Sequence, residues 1–284
     1  MKNIWVPLSA AIAQQRNVET IANNVANANT PGFKRDQLVF KEYLTGLDKG
    51  LEDIDLPNRE FSPEDFYHSG GAENAAVTVD GSYTIHAQGQ MAQTGNSMDL
   101  ALQGQGFFEV LTPNGIRYSR RGNLSISKDG ELVTDQGYKV LKKLDPALLA
   151  SQGREASAPS TTTRVPAPEE RIIKIPNGKL SINLEGQIYS NGIQGDDLSI
   201  VEFSDLHALK KEGNSLYANP DNTNIKTKDN NTRVHQGMIE QSNVNAVAEM
   251  SELIKAHRHF ESIQKAISTY DSIAGKAANE IGKF

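Results

Sequence analysis

The chain has 284 residues, about twice the ~150-residue domain prior, which excludes a miniature scaffold and predicts two or more structural units. Its 29 Lys+Arg against 35 Asp+Glu leave a net charge of −6, and the basic residues are scattered apart from pairs such as Lys34-Arg35, Arg120-Arg121, Lys142-Lys143 and Lys210-Lys211, whereas a nucleic-acid groove needs a basic stripe. With no cysteine, 37% hydrophobic residues, 6% aromatics and a mean hydropathy of −0.50, disulfides and thiolate chemistry are ruled out, and an extended or interface-rich protein fits better than a compact enzyme.

At the amino terminus, Ile4-Trp5-Val6-Pro7-Leu8 gives way to Gln14-Gln15-Arg16, which is not the apolar core of a cleaved signal peptide. No run of about 18 apolar residues predicts a membrane-spanning helix. Residues 7–29 lack glycine, and apolar side chains recur at Ile4, Leu8, Ala11, Val18, Ala22 and Val25, with Gln15 filling the missing step. This is the narrow stripe of a coiled-coil helix, with Pro7 in its first turn and a stop at Thr30-Pro31-Gly32. So thin and alanine-rich a stripe predicts a helix that is poorly ordered until a partner covers it. Residues 47–74, acidic and containing Pro57 and Pro63, read as an irregular linker.

The middle of the chain has a different texture. Val77-Thr78-Val79 precedes Asp80-Gly81, residues 107–111 precede Pro113-Asn114-Gly115, Leu124-Ser125-Ile126 precedes Asp129-Gly130, and Ile188-Tyr189 precedes Asn191-Gly192. Such dipeptides between alternating runs mark hairpins and predict an antiparallel sandwich or barrel. Residues 151–170, rich in Ser, Thr, Pro and Ala, read as an exposed loop within it.

A long helix is predicted over 245–282, capped by Asn243-Val244-Asn245, with Glu249 in its first turn. Its stripe runs Ala246, Met250, Leu253, His257, Phe260, Gln264 and Ile267, then continues in a slightly rotated phase through Ile263, Tyr270, Ala274 and Ala277. At ~1.5 Å per residue it spans roughly 55 Å, so it packs either on its own domain or on partner helices. The expected organisation is α+β: an N-terminal helical segment 1–46, the linker 47–74, a β-rich domain 75–236, and a C-terminal segment 237–284 whose helix pairs with the first.

Catalytic and ligand motifs are missing. Gly104-Gln105-Gly106 lacks the third glycine of a dinucleotide loop. His257 and His259 are two apart on a helix and point away from each other, one expected on the seam and one in solvent. Asp221-Asn222-Thr223-Asn224 lacks the glycine and the bidentate glutamate of a calcium loop. No enzyme, metal or cofactor is expected.

The stretch Asn23-Asn24-Val25-Ala26-Asn27-Ala28-Asn29-Thr30-Pro31-Gly32-Phe33-Lys34-Arg35 resembles the N-terminal motif of bacterial flagellar rod and hook proteins. Gly237-Met238-Ile239-Glu240-Gln241-Ser242-Asn243-Val244-Asn245 resembles their closing segment, while residues 93–108 and Arg117-Tyr118-Ser119-Arg120-Arg121-Gly122-Asn123-Leu124 are similar to their β domain. Asp80-Gly81-Ser82-Tyr83-Thr84 and residues 275–282 look like the proximal-rod branch more than the distal-rod or hook-type one. The resemblance makes Thr30, Gly32, Phe33, Ser242, Asn243 and Val244 motif residues. It implies a structural subunit, exported without a cleaved signal peptide by the flagellar type III apparatus. Such subunits join copies of themselves and neighbouring rod proteins in a rod that crosses the periplasm and transmits motor torque.

In that setting the terminal helices form an inner coiled-coil tube. The expected interface is Leu8, Ala11, Gln15, Val18, Ala22 and Val25 on the first helix, and Met250, Leu253, His257, Phe260, Ile263, Ile267, Tyr270 and Ala274 on the last. Asn23, Asn24 and Asn27 are either interhelical amide contacts or the turn-forming end of the first helix. A carbohydrate-binding or carbohydrate-active β protein is the alternative of another class; it needs an aromatic and carboxylate cleft, and the one tryptophan, Trp5, falls in the first helix.

Overall fold

A computed structural model describes residues 5–44, 75–144, 167–175, 180–226 and 231–281; the predicted linker 47–74 and residues 151–166 of the predicted loop lie outside the described residues. Helix α1 (Trp5–Ala26) opens the chain and α2 (Ala246–Ile281) closes it. Strands β1 (Asp36–Leu44), β2 (Ala75–Thr84), β3 (Met91–Gln93), β4 (Leu100–Gln103), β5 (Phe107–Thr112) and β6 (Gly115–Ser119) follow α1. Next come β7 (Leu124–Ile126), β8 (Leu132–Thr134), β9 (Lys139–Val140), β10 (Leu180–Ile182), β11 (Gln187–Ser190) and β12 (Ile193–Asp197). The last are β13 (Ile200–Val201), β14 (Lys210–Glu212), β15 (Leu216–Ala218), β16 (Arg233–Gln236) and β17 (Met238–Glu240). Two compact units interleave along the chain. One holds α1 to Val25, the strands within Asp36–Tyr83, and α2; the other holds Ala26–Arg35 and Thr84–Asn245.

In the helical unit, Gln14 Nε2 donates to the Ala256 carbonyl at 3.1 Å and Asn24 Nδ2 approaches Glu249 Oε2 at 3.5 Å. As α1 advances α2 recedes, so the helices are antiparallel. The face of α2 that its own chain covers runs Ala246, Glu249, Leu253, Ala256, Phe260, Ile263 and Ile267, all buried or half-buried, in the alternating three and four steps of a coiled-coil seam. Met250, His257 and Gln264, expected on the same stripe as Leu253, Phe260 and Ile267, are exposed and lie off the face covered by α1. Glu249 enters the seam because Asn24 gives its carboxylate a polar contact, and Ala256 does so because a small side chain lets α1 come close. His259 is exposed as well as His257, so neither histidine is on the seam.

Strands β1 and β2 pair with each other in the same unit, and the Val77 amide donates to Ser9 Oγ at 3.2 Å, tying β2 to α1. Strand β1 (Asp36–Leu44) lies within the predicted N-terminal segment 1–46, after the motif stretch 23–35. The predicted turn at Asp80-Gly81 is instead the interior of β2. Both residues are exposed and a Cβ on Gly81 would meet nothing within 4 Å, so nothing there opposes extended pairing, which outweighs the local turn preference.

The second unit is built on a sheet of order β14-β15-β6-β5-β9-β8-β7, with β13 also on β5; β10-β11-β12, β16-β4 and β17-β3 form smaller sheets. Every register recorded within it is antiparallel. The hairpin signals succeed where both flanking runs find partners. Asn191 and Gly192 take φ of 53° and 80° between the paired Ser190 and Ile193, the two-residue loop whose twist matches its strands.

Strand β5 is buried on both faces. Phe108 and Val110 enter the main core with Leu100, Leu102, Leu132, Val140 and Ile173, while Phe107 enters a second cluster with Tyr118, Phe203, Leu209 and Tyr217. Glu109 shares the Phe107 face by the period of two and is only 6% exposed. It is satisfied by a two-pronged Arg171 guanidinium and by Ser199 Oγ at 2.6 Å. Burial, reinforced by the Glu109 charge across the strand pair and opposed by Arg171, pushes the Tyr118 phenol well above its ordinary range.

Native Tyr118 therefore keeps its proton above about pH 10, where the unfolded chain releases it, so stability falls as pH rises past that point. Tyr118→Phe removes this contribution. Urea unfolding followed between about pH 9 and 11 should show a shallower alkaline decline in the variant than in the parent chain.

Candidate functional site

The stretches that carry the resemblance meet inside the second unit, around one carboxylate. Lys34 Nζ donates to Glu240 Oε1 at 2.5 Å and to the Ala87 carbonyl at 2.8 Å. Arg120 Nη1 donates to Glu240 Oε2 at 3.2 Å, and its Nη2 donates to the Gly104 carbonyl at 2.6 Å. The Gly89 amide completes the Glu240 shell at 2.8 Å. Lys34, Arg120 and Glu240 are 0%, 2% and 1% exposed. Burial pushes Lys34 and Arg120 towards losing their protons, and the Glu240 charge opposes this in both.

The backbone is locked at the same place. Gly32 donates its amide to the Glu240 carbonyl at 2.8 Å. It sits at φ +67°, with an added Cβ 2.7 Å from the backbone of Arg120 and Arg121; only glycine fits both demands. Phe33 is buried, and Lys211 Nζ lies 3.8 Å from its ring centroid while donating to the Lys34 carbonyl at 2.8 Å. Asn243 binds two other segments. Its Oδ1 accepts the Arg35 amide at 2.8 Å, and its Nδ2 donates to the Ile85 carbonyl at 2.7 Å. The Ile85 amide in turn donates to the Arg35 carbonyl at 2.8 Å. Ser242 Oγ accepts the Val244 amide at 3.2 Å. Both Glu240 oxygens are occupied by donors held in the fold, Lys34 and the Gly89 amide on one and Arg120 on the other.

The expected interface residues are distributed differently. On α1, Ala11 is buried, Val18 and Val25 are half-buried, and Leu8, Gln15 and Ala22 are exposed. On α2, Leu253, Phe260, Ile263 and Ile267 line the seam, while Met250, His257, Tyr270 and Ala274 are exposed. The asparagines divide between the two roles. Asn24 is fully buried and clamps the Asp36 backbone through both ends of its amide, at 2.8 and 3.0 Å, besides reaching Glu249. Asn27 builds the turn after α1, accepting the Thr30 amide at 3.1 Å and the Thr30 hydroxyl at 3.2 Å. Asn23 is exposed.

Sequence reasoning missed Lys34, Arg120 and Glu240 as a set. Lys34 and Glu240 are 206 positions apart, and Arg120 and Glu240 are 120 apart, so no local spacing announces them. The available signal was that each falls inside a motif stretch. Also missed were Val247 and Ile254, which are 76% and 56% exposed and continue the exposed face marked by Met250.

Gly32→Ala is expected to destabilise the second unit by about 1–3 kcal/mol more than Gly95→Ala, because only the former adds backbone overlap to the left-handed strain. Gly95 has φ +74° with nothing within 4 Å of an added Cβ, so paired denaturant melts of the two variants isolate the close approach.

Three family models match the chain in order: Flagella basal body rod protein over residues 6–34, Flagellar hook protein FlgE/F/G D1 domain over 101–190, and Flagellar basal body rod FlgEFG protein C-terminal over 235–280. The buried cluster takes Lys34 from the first, Arg120 from the second and Glu240 from the third. Among curated relatives, the flagellar basal-body rod protein FlgF of Caulobacter vibrioides is 29% identical, over 99% of this chain and 98% of its own length. FlgG of Buchnera aphidicola is 30% identical over 96% and 97%, and FlgG of Borreliella burgdorferi is 30% identical over 98% of each. Likeness at this level over nearly the full length, with all three family segments present, shows that the chain belongs to the flagellar basal-body rod protein family of FlgF and FlgG, structural components of the rod.

Proposed function

We propose that the chain polymerises through its helical unit, with copies of itself and with neighbouring rod proteins, into the proximal part of the rod, and passes motor torque along it. The observation that carries this reading is where apolar surface remains. The helical unit exposes Leu8, Ile12, Val39, Phe40, Tyr83, Val247, Met250, Ile254, Tyr270 and Ile273, whereas the larger second unit exposes only Ile126, Leu184 and Ile193 among the described large hydrophobics. Exposed apolar side chains gathered in one unit mark an interaction surface.

The helix lengths support the same assignment. α2 has 36 residues and α1 has 22, so antiparallel pairing leaves the end of α2 beyond Ile267 without cover from α1. Tyr270 and Ile273 there are 51% and 59% exposed. A helix with one covered seam and a second apolar face gains burial only when another helix arrives, and contacts of that unlike-faced kind propagate an open filament. In this reading the unit with α1, β1, β2 and α2 is the assembly unit, and the second unit is the β-rich remainder of the subunit. Coiled-coil packing between subunits, delivery by the flagellar type III apparatus without a cleaved leader and a place in the periplasm belong to the same proposal. They are supported by the family membership; among the described residues no helix is long and apolar enough to cross a membrane.

The test uses the outer face of α2, because its seam residues also hold the chain's own fold. Val247→Asp and Ile254→Asp should abolish swimming and rod incorporation, while unfolding free energy stays within about 0.5 kcal/mol of the parent. Ser125→Asp, on an exposed strand position of the second unit, should swim normally. Normal motility of the Val247→Asp/Ile254→Asp double variant would sink the proposal. In the dilute monomer, limited proteolysis should cut α2 beyond Ile267 before it cuts β5 or β6.

A further inference from the structure

We infer that Glu240 is a latch that makes docking of residues 27–35 on the β unit conditional on docking of the carboxy-terminal segment 237–243. The inference rests on the charge count of the cluster and on its hydrogen bonds, and it stands apart from the assembly reading.

Two buried cations, Lys34 and Arg120, are bonded to one carboxylate, Glu240; Glu202 adds a second, unbonded negative charge that acts on Arg120 and not on Lys34. With segment 237–243 in place, each cation has one Glu240 oxygen and one backbone carbonyl, Ala87 for Lys34 and Gly104 for Arg120. Take the segment away and the carbonyls remain, but the one negative charge bonded to Lys34 among the described residues is gone. Lys34 then sits buried against the repulsion that Arg120 exerts on it. An uncompensated buried charge is costly, far more so than the net worth of the intact pair. Arg120 is anchored by Gly104 and by its stack on the Phe107 ring at 4.8 Å, so the group that leaves is Lys34, on its short connecting segment.

The backbone follows the side chain. Gly32 loses its acceptor, the Glu240 carbonyl; Arg35 loses Asn243 Oδ1; and Gly89 loses Glu240 Oε1. Buried amides left without partners add to the cost. Segments 27–35, 85–89 and 237–243 therefore open and close as one cooperative piece, separate from the β5-centred core. Residue 240 is made 206 positions after residue 34, so the amino-terminal motif stays undocked on the growing chain until the closing segment exists.

Hydrogen exchange on the full-length chain tests this. Glu240→Gln keeps the shape and removes the charge. Peptides covering Gly32, Arg35 and Gly89 should exchange roughly a hundredfold faster, while β5 keeps its protection. Adding Lys34→Met removes the stranded cation and should recover at least about tenfold of that protection. Acceleration confined to 237–243, or a Lys34→Met/Glu240→Gln chain exchanging as fast as Glu240→Gln alone, overturns the latch. If Glu240→Gln does not fold, exchange of the parent chain in sub-denaturing urea decides the matter. The amides of Gly32, Arg35, Gly89 and Gln241 should converge on one opening curve below that of the core; separate curves overturn the inference.

Discussion

The structure depends on a carboxylate that is nearly inaccessible to water. Glu240 takes Lys34 and Arg120 on its two oxygens and the Gly32 amide on its backbone carbonyl. Together with Asn243 it gathers chain segments that lie at the start, middle and end of the sequence. Apolar packing alone would stabilise the β unit without saying which terminal segment belongs where. An ionic cluster does specify it, because misplacing any member strands a buried charge, while the correct arrangement is worth little more than a hydrophobic substitute. Its contribution is therefore to the uniqueness of the junction more than to bulk stability.

The two units divide the work of burial unequally. In the β unit the buried carboxylates at core positions are paired internally, Glu109 with Arg171 and Ser199, and Glu202 with Thr232 at 2.6 Å. The helical unit stops short of that. It covers one seam of α2 and leaves a second apolar face in water. The low overall apolar content is thus not spread evenly: the β unit meets its own needs, and the helical unit has a face that a monomer does not cover.

What could be read from the sequence was what is encoded locally. Both helices were legible from period, caps and stops, and α2 begins one residue after its predicted start. The Asn191-Gly192 hairpin was legible because φ preferences of adjacent residues dictate it. Failures arose wherever a long-range partner decided the outcome. Asp80-Gly81 reads as a turn until β1 pairs alongside. Met250 and His257 look like seam residues until Asn24 draws Glu249 inward. Lys34, Arg120 and Glu240 look like ordinary surface charges until the fold brings them together. The resemblance marked the right stretches without indicating that their purpose was a shared buried cluster.

The Asn24–Glu249 contact has a further consequence for how the helices face their surroundings. Apolar side chains on a helix seam are non-directional, so they fix the register of α1 along α2 less sharply than a polar contact does. A buried amide sharpens it, in the way a polar seam position fixes coiled-coil alignment. Asn24 is held on one side by the Asp36 backbone and reaches Glu249 on the other, so α1, β1 and α2 are aligned at a single side chain. Once Glu249 points inward, the roughly 100° advance per residue forces Val247, Met250 and Ile254 outward onto the opposite face. The apolar surface offered to partners is thus set by a polar contact within the chain, and a hydrophobic replacement at Asn24 would preserve burial while freeing the helix to turn that face elsewhere.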